Sequence, residues 1–354
     1  MIEFFKQERK LDHEKAVRDS KEIWDKDGFP VLTEYGSIPN KSKDYDPDWE
    51  KNGHMERAVQ LYARYAKEQK PHLREKGKGV SIEIKRRPGG SPLILITAPG
   101  DLPGNTLIYG HLDKQPEGGT WSEGLEPWKA VMKDGNLYGR GMADDGYALP
   151  MALASLRILD REGVKRPSCT IVIESGEESG SSDMSYYLDT YAKEIGTPDT
   201  VICLDSGAGD YRRLWETTSL RGNVTGILEI ESTGGHSGHV SGEYISAERA
   251  SRILLSRIED VETGEIKLPS VQVEIPQERK EQIEKASAVV SKTDHEAIGL
   301  CSENTVELEV RKTWKAMLTV IGLDGLPPVE GAGNIQHPKH VQEQYAAFLF
   351  GFVL

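Results

Sequence analysis

The pattern of apolar and polar positions divides the chain into segments. Residues 1–27 are charged and read as a helix, and 36–48 (GSIPNKSKDYDPD) has the Pro, Ser and Asp content of a loop. Over 48–69, Met55, Ala58, Val59, Leu61, Tyr62, Tyr65 and Ala66 recur near helical spacing and predict a helix. Residues 80–84 alternate, while 92–97 and 105–109 are short apolar runs; these three predict strands of one sheet. Asp134-Gly135 marks a hairpin. A long helix is predicted over 143–162, then a continuous apolar run at 169–173 (CTIVI), the pattern of a parallel strand covered on both sides. A second helix, 182–195, leads to 200–204, predicted as a further buried strand. Strands alternating with helices predict an α/β fold, a mainly parallel sheet flanked by helices.

The pattern changes near Arg221-Gly222. Residues 223–232 (NVTGILEIES) alternate as a half-exposed strand does, followed by the glycine-rich GGHSGHVSG and a helix over about 246–258. Residues 263–310 are polar and irregular apart from a helix near 276–290, and a strand returns at 316–321. Two domains are therefore expected, 1–220 and a smaller α+β domain over 221–354.

Composition narrows the function. A formal net charge of −13 argues against a nucleic-acid surface, which would show basic clustering. The three cysteines, Cys169, Cys203 and Cys301, form no CxxC pair. Cys169 and Cys203 lie in apolar runs and are expected in the core. No stretch approaches the ~20 apolar residues of a membrane span. The first residues lack the apolar region of a signal peptide, so a cytoplasmic enzyme is expected.

Candidate chemistry concentrates in residues 109–178, in YGHLDKQPE, GRGMADD and ESGEES. His111 to Asp144 and Asp144 to Glu177 are each 33 residues apart, room for one βα or ββ unit between groups that meet at strand ends. After a buried strand, His111 can ligate a metal while Asp113 orients its imidazole and raises its basicity. Asp144-Asp145 offers a carboxylate to bridge two ions. The adjacent Glu177 and Glu178 repel unless a cation or proton relieves them, so one can ligate metal and the other act as general base. Asp205, ending the next strand, is a further candidate ligand. His236, in the second domain, is a candidate donor to a developing oxyanion, ahead of His239.

Together, GHLD, GRGMADD, ESGEESGS, LDSG and GGHSG resemble the co-catalytic zinc metallopeptidases that include aminoacylase, acetylornithine deacetylase, carboxypeptidase G and the carnosinase-type dipeptidases. The likeness runs from about residue 30 to 335. The dipeptidase branch is closest, judging by WSEGLEPWKAVMKDGNLYGRG and IGLDGLPPVEGAGN. The resemblance implies a zinc-exopeptidase-like fold with an inserted lid and dimerisation domain. It implies two zinc ions, with manganese or cobalt as alternatives, held by His111, Asp144, Glu178 and Asp205. Asp144 would bridge the ions, Asp113 would support His111, and Glu177 would be the general base. A cis peptide between Asp144 and Asp145 is expected. His236 would reach a partner subunit's active site in a homodimer, and Asn334 would contact the end of a small peptide substrate.

The chain departs from the family's pattern at its end. A later histidine, the last metal ligand of the family, has no counterpart, because His337 and His340 lie where the second domain should still be running. The terminal AAFLFGFVL does not resemble the family's continuation and is expected to be an aggregation liability unless buried. A truncated form of a longer enzyme is the expectation. The alternatives to a dipeptidase are a catalytically impaired remnant and a deacylase of N-acyl amino acids.

Overall fold

The computed structural model describes residues 11–210, 212–217, 220–290 and 301–348. Two compact units divide after Ser206.

The first unit is built on a five-stranded sheet: β1 (Ser81–Lys85), β2 (Leu93–Ala98), β3 (Leu102–His111), β6 (Pro167–Glu174) and β7 (Thr200–Cys203). Their order is β1-β2-β6-β3-β7. β2 pairs antiparallel with β1 and β6, while β3 runs parallel to both β6 and β7. Within this sheet, parallel pairing joins the three strands whose carboxyl ends lead into His111, Glu177 and Asp205. Between β3 and β6 lies the expected hairpin, β4 (Val131–Lys133) and β5 (Asn136–Tyr138), turned by Asp134 at φ 51° and Gly135 at φ 81°.

Side-chain alternation sends β2, β3 and β6 into two cores. Ile94, Ile96, Ile108, Ile171 and Ile173 pack with the helices His54–Gln69 and Ala148–Arg161, through residues such as Val59, Tyr62, Leu153 and Leu156. Leu93, Leu95, Leu107 and Val172 face the other way, against Tyr187 and Ile195. Each such side chain, fully buried, contributes about 1.5–3 kcal/mol.

Several boundaries differ from the expected ones. The described part of the N-terminal helix, His13–Ile23, continues through Trp24–Gly28 into Phe29–Gly36, where a loop was expected to begin; residues 1–10 lie outside the described residues. Gly53, left-handed at φ 69°, splits the predicted 48–69 helix, leaving one turn, Trp49–Asn52, ahead of His54–Gln69. Tyr191 (φ −108°) breaks the predicted 182–195 helix into Met184–Thr190 and Ala192–Ile195. The largest correction concerns β7. It forms the sheet edge, and all four of its residues are exposed, Val201 by 56% and Ile202 by 41%. Cys203 is exposed with it, against expectation, whereas Cys169 is buried as expected.

The second unit carries a three-stranded antiparallel sheet in the order β10-β12-β8, from β8 (Gly222–Glu231), β10 (Met317–Asp324) and β12 (Lys339–Phe348). The helix Ala247–Ile258 packs on β8 and β12, its first turn capped by Ser246, whose Oγ accepts the Arg249 amide at 3.1 Å. The helix Thr305–Thr313, capped by Asn304, and β12 itself were not expected. A two-residue pairing joins β9 (Gly235–His236) to β11 (Ile335–Gln336). Residues 349–354 of the apolar terminus lie outside the described residues. Among the described residues, no helix is long and apolar enough to cross a membrane.

Candidate metal centre

His111 is the last residue of β3, and its side chain is fully buried. Its ring faces carboxylates on both sides. Nε2 lies 3.1 Å from Asp144 Oδ1, 3.6 Å from Asp205 Oδ2 and 3.8 Å from Glu177 Oε2. Nδ1 lies 3.2 Å from the Asp113 carbonyl and 3.4 Å from Asp113 Oδ1. One imidazole nitrogen thus points into an acidic cluster while the other is fixed from behind.

Asp113 does more than fix the ring. Its carboxylate is fully buried and accepts the backbone amides of Glu177 at 3.2 Å and Glu178 at 3.0 Å. It therefore ties the turn after β6 to the end of β3. Leu112 adds a second tie, its amide donating to the Glu174 carbonyl at 2.9 Å. Glu174 is itself buried and accepts from Tyr109 Oη at 2.7 Å and Ser181 Oγ at 2.8 Å.

Asp144 and Asp145 sit in the turn Met142–Gly146, a single wide turn entered through Gly141 at φ 76° where a helix start was expected. The peptide between them is cis. The two side chains separate: Asp144 is 61% exposed and faces His111, while Asp145 is buried and accepts the His111 backbone amide at 3.2 Å. Tyr147 Oη donates to the Leu204 carbonyl, linking this turn to the residue before Asp205.

Burial and hydrogen bonding set the protonation of these groups. Burial opposes a charged His111, but hydrogen bonds to Asp113 and Asp144 outweigh it and push the imidazole up to about 11. The same His111 contact, working against burial, lowers Asp144. Burial pushes Asp145 up to about 8 and Glu178 to about 7, and it raises Glu177 and Asp205. Carboxyls that hold their protons this firmly are those a divalent cation relieves, and it would displace the proton from His111 Nε2 as well.

The donor set fits such an ion. His111, Asp144 and Asp205 each offer one ligand atom, all within 4.8 Å of one another. An imidazole with carboxylate oxygens suits zinc, and manganese or cobalt next. Glu177 stands at the rim of this group. Glu178 stands apart from the three, its Oε2 accepting Gln115 Nε2 at 2.7 Å. His236 and Asn334 lie in the second unit, both exposed and joined by the β9–β11 pairing, the Ser237 amide donating to the Asn334 carbonyl at 2.9 Å. The His236 ring stacks obliquely on His239 with centroids 5.4 Å apart, and its Nδ1 accepts the Gly238 amide. His340 is buried in β12 with both ring nitrogens unpartnered.

Sequence reasoning did not single out Gln115, Tyr147 or Lys114. Gln115 and Lys114 stand inside YGHLDKQPE, where proximity to the ligands was their only signal.

A family model described as Peptidase family M20/M25/M40 matches residues 107–320. "Probable di- and tripeptidase DUG2" of Saccharomyces cerevisiae is 26% identical over 167 residues, 46% of this chain but only 19% of that protein's length. Human carnosine dipeptidase 1 is similar in structure, with 18% identity, a TM-score of 0.64 and coverage of 94% of this chain and 72% of that one. Sso-CP2 of Sulfolobus solfataricus, described as an M20 family metallo-carboxypeptidase, is 17% identical with a TM-score of 0.72, covering 92% and 72%. The dipeptidase Dug1p of Saccharomyces cerevisiae is 19% identical with a TM-score of 0.65, covering 94% and 72%. At these identities the structures establish the shared fold, a helix-flanked zinc-exopeptidase sheet. With more than half of its 354 residues matched by the family model, the chain belongs to Peptidase family M20/M25/M40.

Proposed function

We propose that the chain serves a zinc-dependent exopeptidase of dipeptidase type, hydrolysing a peptide bond near a free terminus. The observation that carries this reading is His111 Nε2 facing Asp144, Asp205 and Glu177 within 3.8 Å while Asp113 holds Nδ1. In this reading His111, Asp144, Glu178 and Asp205 would hold two zinc ions. Zinc bound there supplies Lewis acidity and a nucleophilic water near neutral pH.

The chain's own groups do the rest. Glu177, about one-third exposed and raised by burial, takes a proton from the attacking water and returns it to the leaving nitrogen. Asp113 keeps the His111 ring and the Glu177 amide in fixed relation. His236, from a partner subunit's second domain, donates to the developing oxyanion, and Asn334 contacts the substrate's end. Residues 1–220 then form the catalytic domain and 221–354 a lid and dimerisation domain of a cytoplasmic enzyme.

Metal analysis with dipeptide hydrolysis tests this reading. Two zinc ions per chain and turnover abolished by chelation and restored by zinc are expected; turnover that survives complete metal removal would refute it. A second reading, an impaired metal binder, is favoured by the donor set itself, a single imidazole among the carboxylates of the described cluster. Less than one tightly held ion with no hydrolysis supports that alternative. Comparing dipeptides with N-acetyl amino acids separates dipeptidase from deacylase.

A further inference from the structure

Glu178 stands away from the group formed by His111, Asp144 and Asp205, yet its place is tightly set. Its amide donates to Asp113 at 3.0 Å, and its carbonyl accepts Tyr45 Oη at 2.8 Å. Gln115 Nε2 reaches the same carbonyl at 3.3 Å and the side-chain Oε2 at 2.7 Å. The turn Glu177–Ser179 lies between Gly176 and Gly180, the latter at φ 94°, so its own backbone restrains Glu178 little. The restraint comes from outside the turn.

Part of it comes from residues 39–45, more than sixty residues before β3 ends. At one end of this segment Asn40, almost fully buried, donates Nδ2 to the Leu112 carbonyl at 2.6 Å. The amide of Ser42, also buried, donates to the Lys114 carbonyl at 2.9 Å. From there the segment crosses to the turn after β6. Ser42 Oγ lies 2.6 Å from Ser179 Oγ, Lys43 Nζ donates to Asp183 Oδ2 at 2.7 Å, and Tyr45 reaches Glu178. A surface loop needs only to satisfy its own backbone. This one directs four successive polar side chains and an amide onto the two turns that carry the candidate ligands.

Resting on the metal-hydrolase reading, we propose that residues 39–45 are a strap that fixes where Glu178 presents its carboxylate. Tyr45 and Ser42 are positioning residues for that ligand: they hold its carbonyl and the next residue, while the strap's hold on Lys114 steadies the neighbouring Gln115. Partners that orient a ligand contribute to metal affinity without touching the ion. The strap acts on the metal through Glu178, and its effect vanishes when Glu178 cannot ligate.

The test is a cycle of four full-length chains: wild type, Tyr45→Phe, Glu178→Gln and the double variant. Each is freed of metal and titrated with zinc against a chromophoric chelator. Tyr45→Phe should weaken zinc by about 3- to 10-fold with Glu178 in place, and by less than about two-fold with glutamine there. Ser42→Ala should show the same dependence on Glu178. Tyr45 is 41% exposed and phenylalanine keeps its ring, so the urea midpoint of the metal-free chain should not move. Equal losses in both backgrounds, or no loss with Glu178 present, overturn the proposal. Hydrolysis of Ala-Leu by the zinc-loaded wild type is read in parallel. Coupling between Tyr45 and Glu178 without hydrolysis sinks the peptidase reading and keeps the strap. Two zinc ions and hydrolysis without coupling do the reverse. A wild-type chain that binds no zinc overturns both.

Discussion

The buried carboxylate of Asp113 accepts the backbone amide of Glu178 at 3.0 Å, so the strand that ends in His111 and the turn after β6 share one anion. The same carboxylate takes the Glu177 amide and lies 3.4 Å from His111 Nδ1. Removing it should release three groups at once. Asp113→Ala is expected to weaken zinc affinity by about 10- to 100-fold, the usual effect of losing a ligand's supporting partner. Competition with a chromophoric chelator measures this, and wild-type affinity would contradict the assigned role.

Glu177 and Glu178 are neighbours in sequence with different surroundings. Glu178 is tied to Gln115 at 2.7 Å, whereas the Glu177 carboxylate faces the cluster with no side-chain hydrogen bond among the described residues. Glu177→Gln should leave zinc stoichiometry unchanged and lower kcat by about 10²- to 10⁴-fold, the range for a lost general base. Dipeptide turnover near the wild-type rate would remove Glu177 from the mechanism.

Gly110 lets the helix Ala148–Arg161 touch β3. A Cβ there would stand 2.4 Å from Ala148 Cβ and 2.6 Å from Asp145 Oδ2. Gly110→Ala should therefore destabilise the first unit by about 1–3 kcal/mol, as overpacking does, and disturb Asp145 as well. Urea unfolding of the metal-free chain reads the cost, and an unchanged midpoint would show that strand and helix part easily.

Lys114 is fully buried, its ammonium donating to the carbonyls of Tyr35 at 3.0 Å and Ile38 at 2.8 Å and lying 3.9 Å from the Tyr35 ring centre. No carboxylate pairs with it among the described residues. Burial lowers it from 10.5 to about 7. Between those values the unfolded chain holds a proton that the folded chain has lost. The unfolding free energy should then rise with pH across this window, by up to about 1.4 kcal/mol per unit from this group. That contribution is complete above the unfolded value and gone once the pH falls through about 7. Lys114→Met should flatten the profile relative to wild type. Parallel slopes for the two chains would mean the ammonium stays charged.

Much of the first unit was legible because strand ends and acidic clusters coincide. Alternation located β1, the apolar runs located β2, β3 and β6, and Asp134-Gly135 located the hairpin. The side chains around His111 were legible for the same reason, since only strand-end placement brings residues so distant in sequence to one imidazole. The exposure of β7 was not legible. A run such as TVIC reads alike whether a strand is covered on both faces or lies at a sheet edge, because periodicity records apolarity and not neighbours. Lys114 was hidden by its own chemistry, since lysine is rarely fully buried and only packing reveals that it is. The break at Gly53 depends on a positive φ that composition permits but does not demand.

The candidate metal centre resembles a vice with one fixed jaw. His111 is locked from behind by Asp113 and closed off from solvent, whereas Asp144 and Asp205 stand 61% and 32% exposed on a turn and beyond an edge strand. An ion held there would meet one donor fixed by packing and two carboxylates with more open surroundings. Discrimination between zinc, manganese and cobalt would then rest with these two less buried acids rather than with the imidazole.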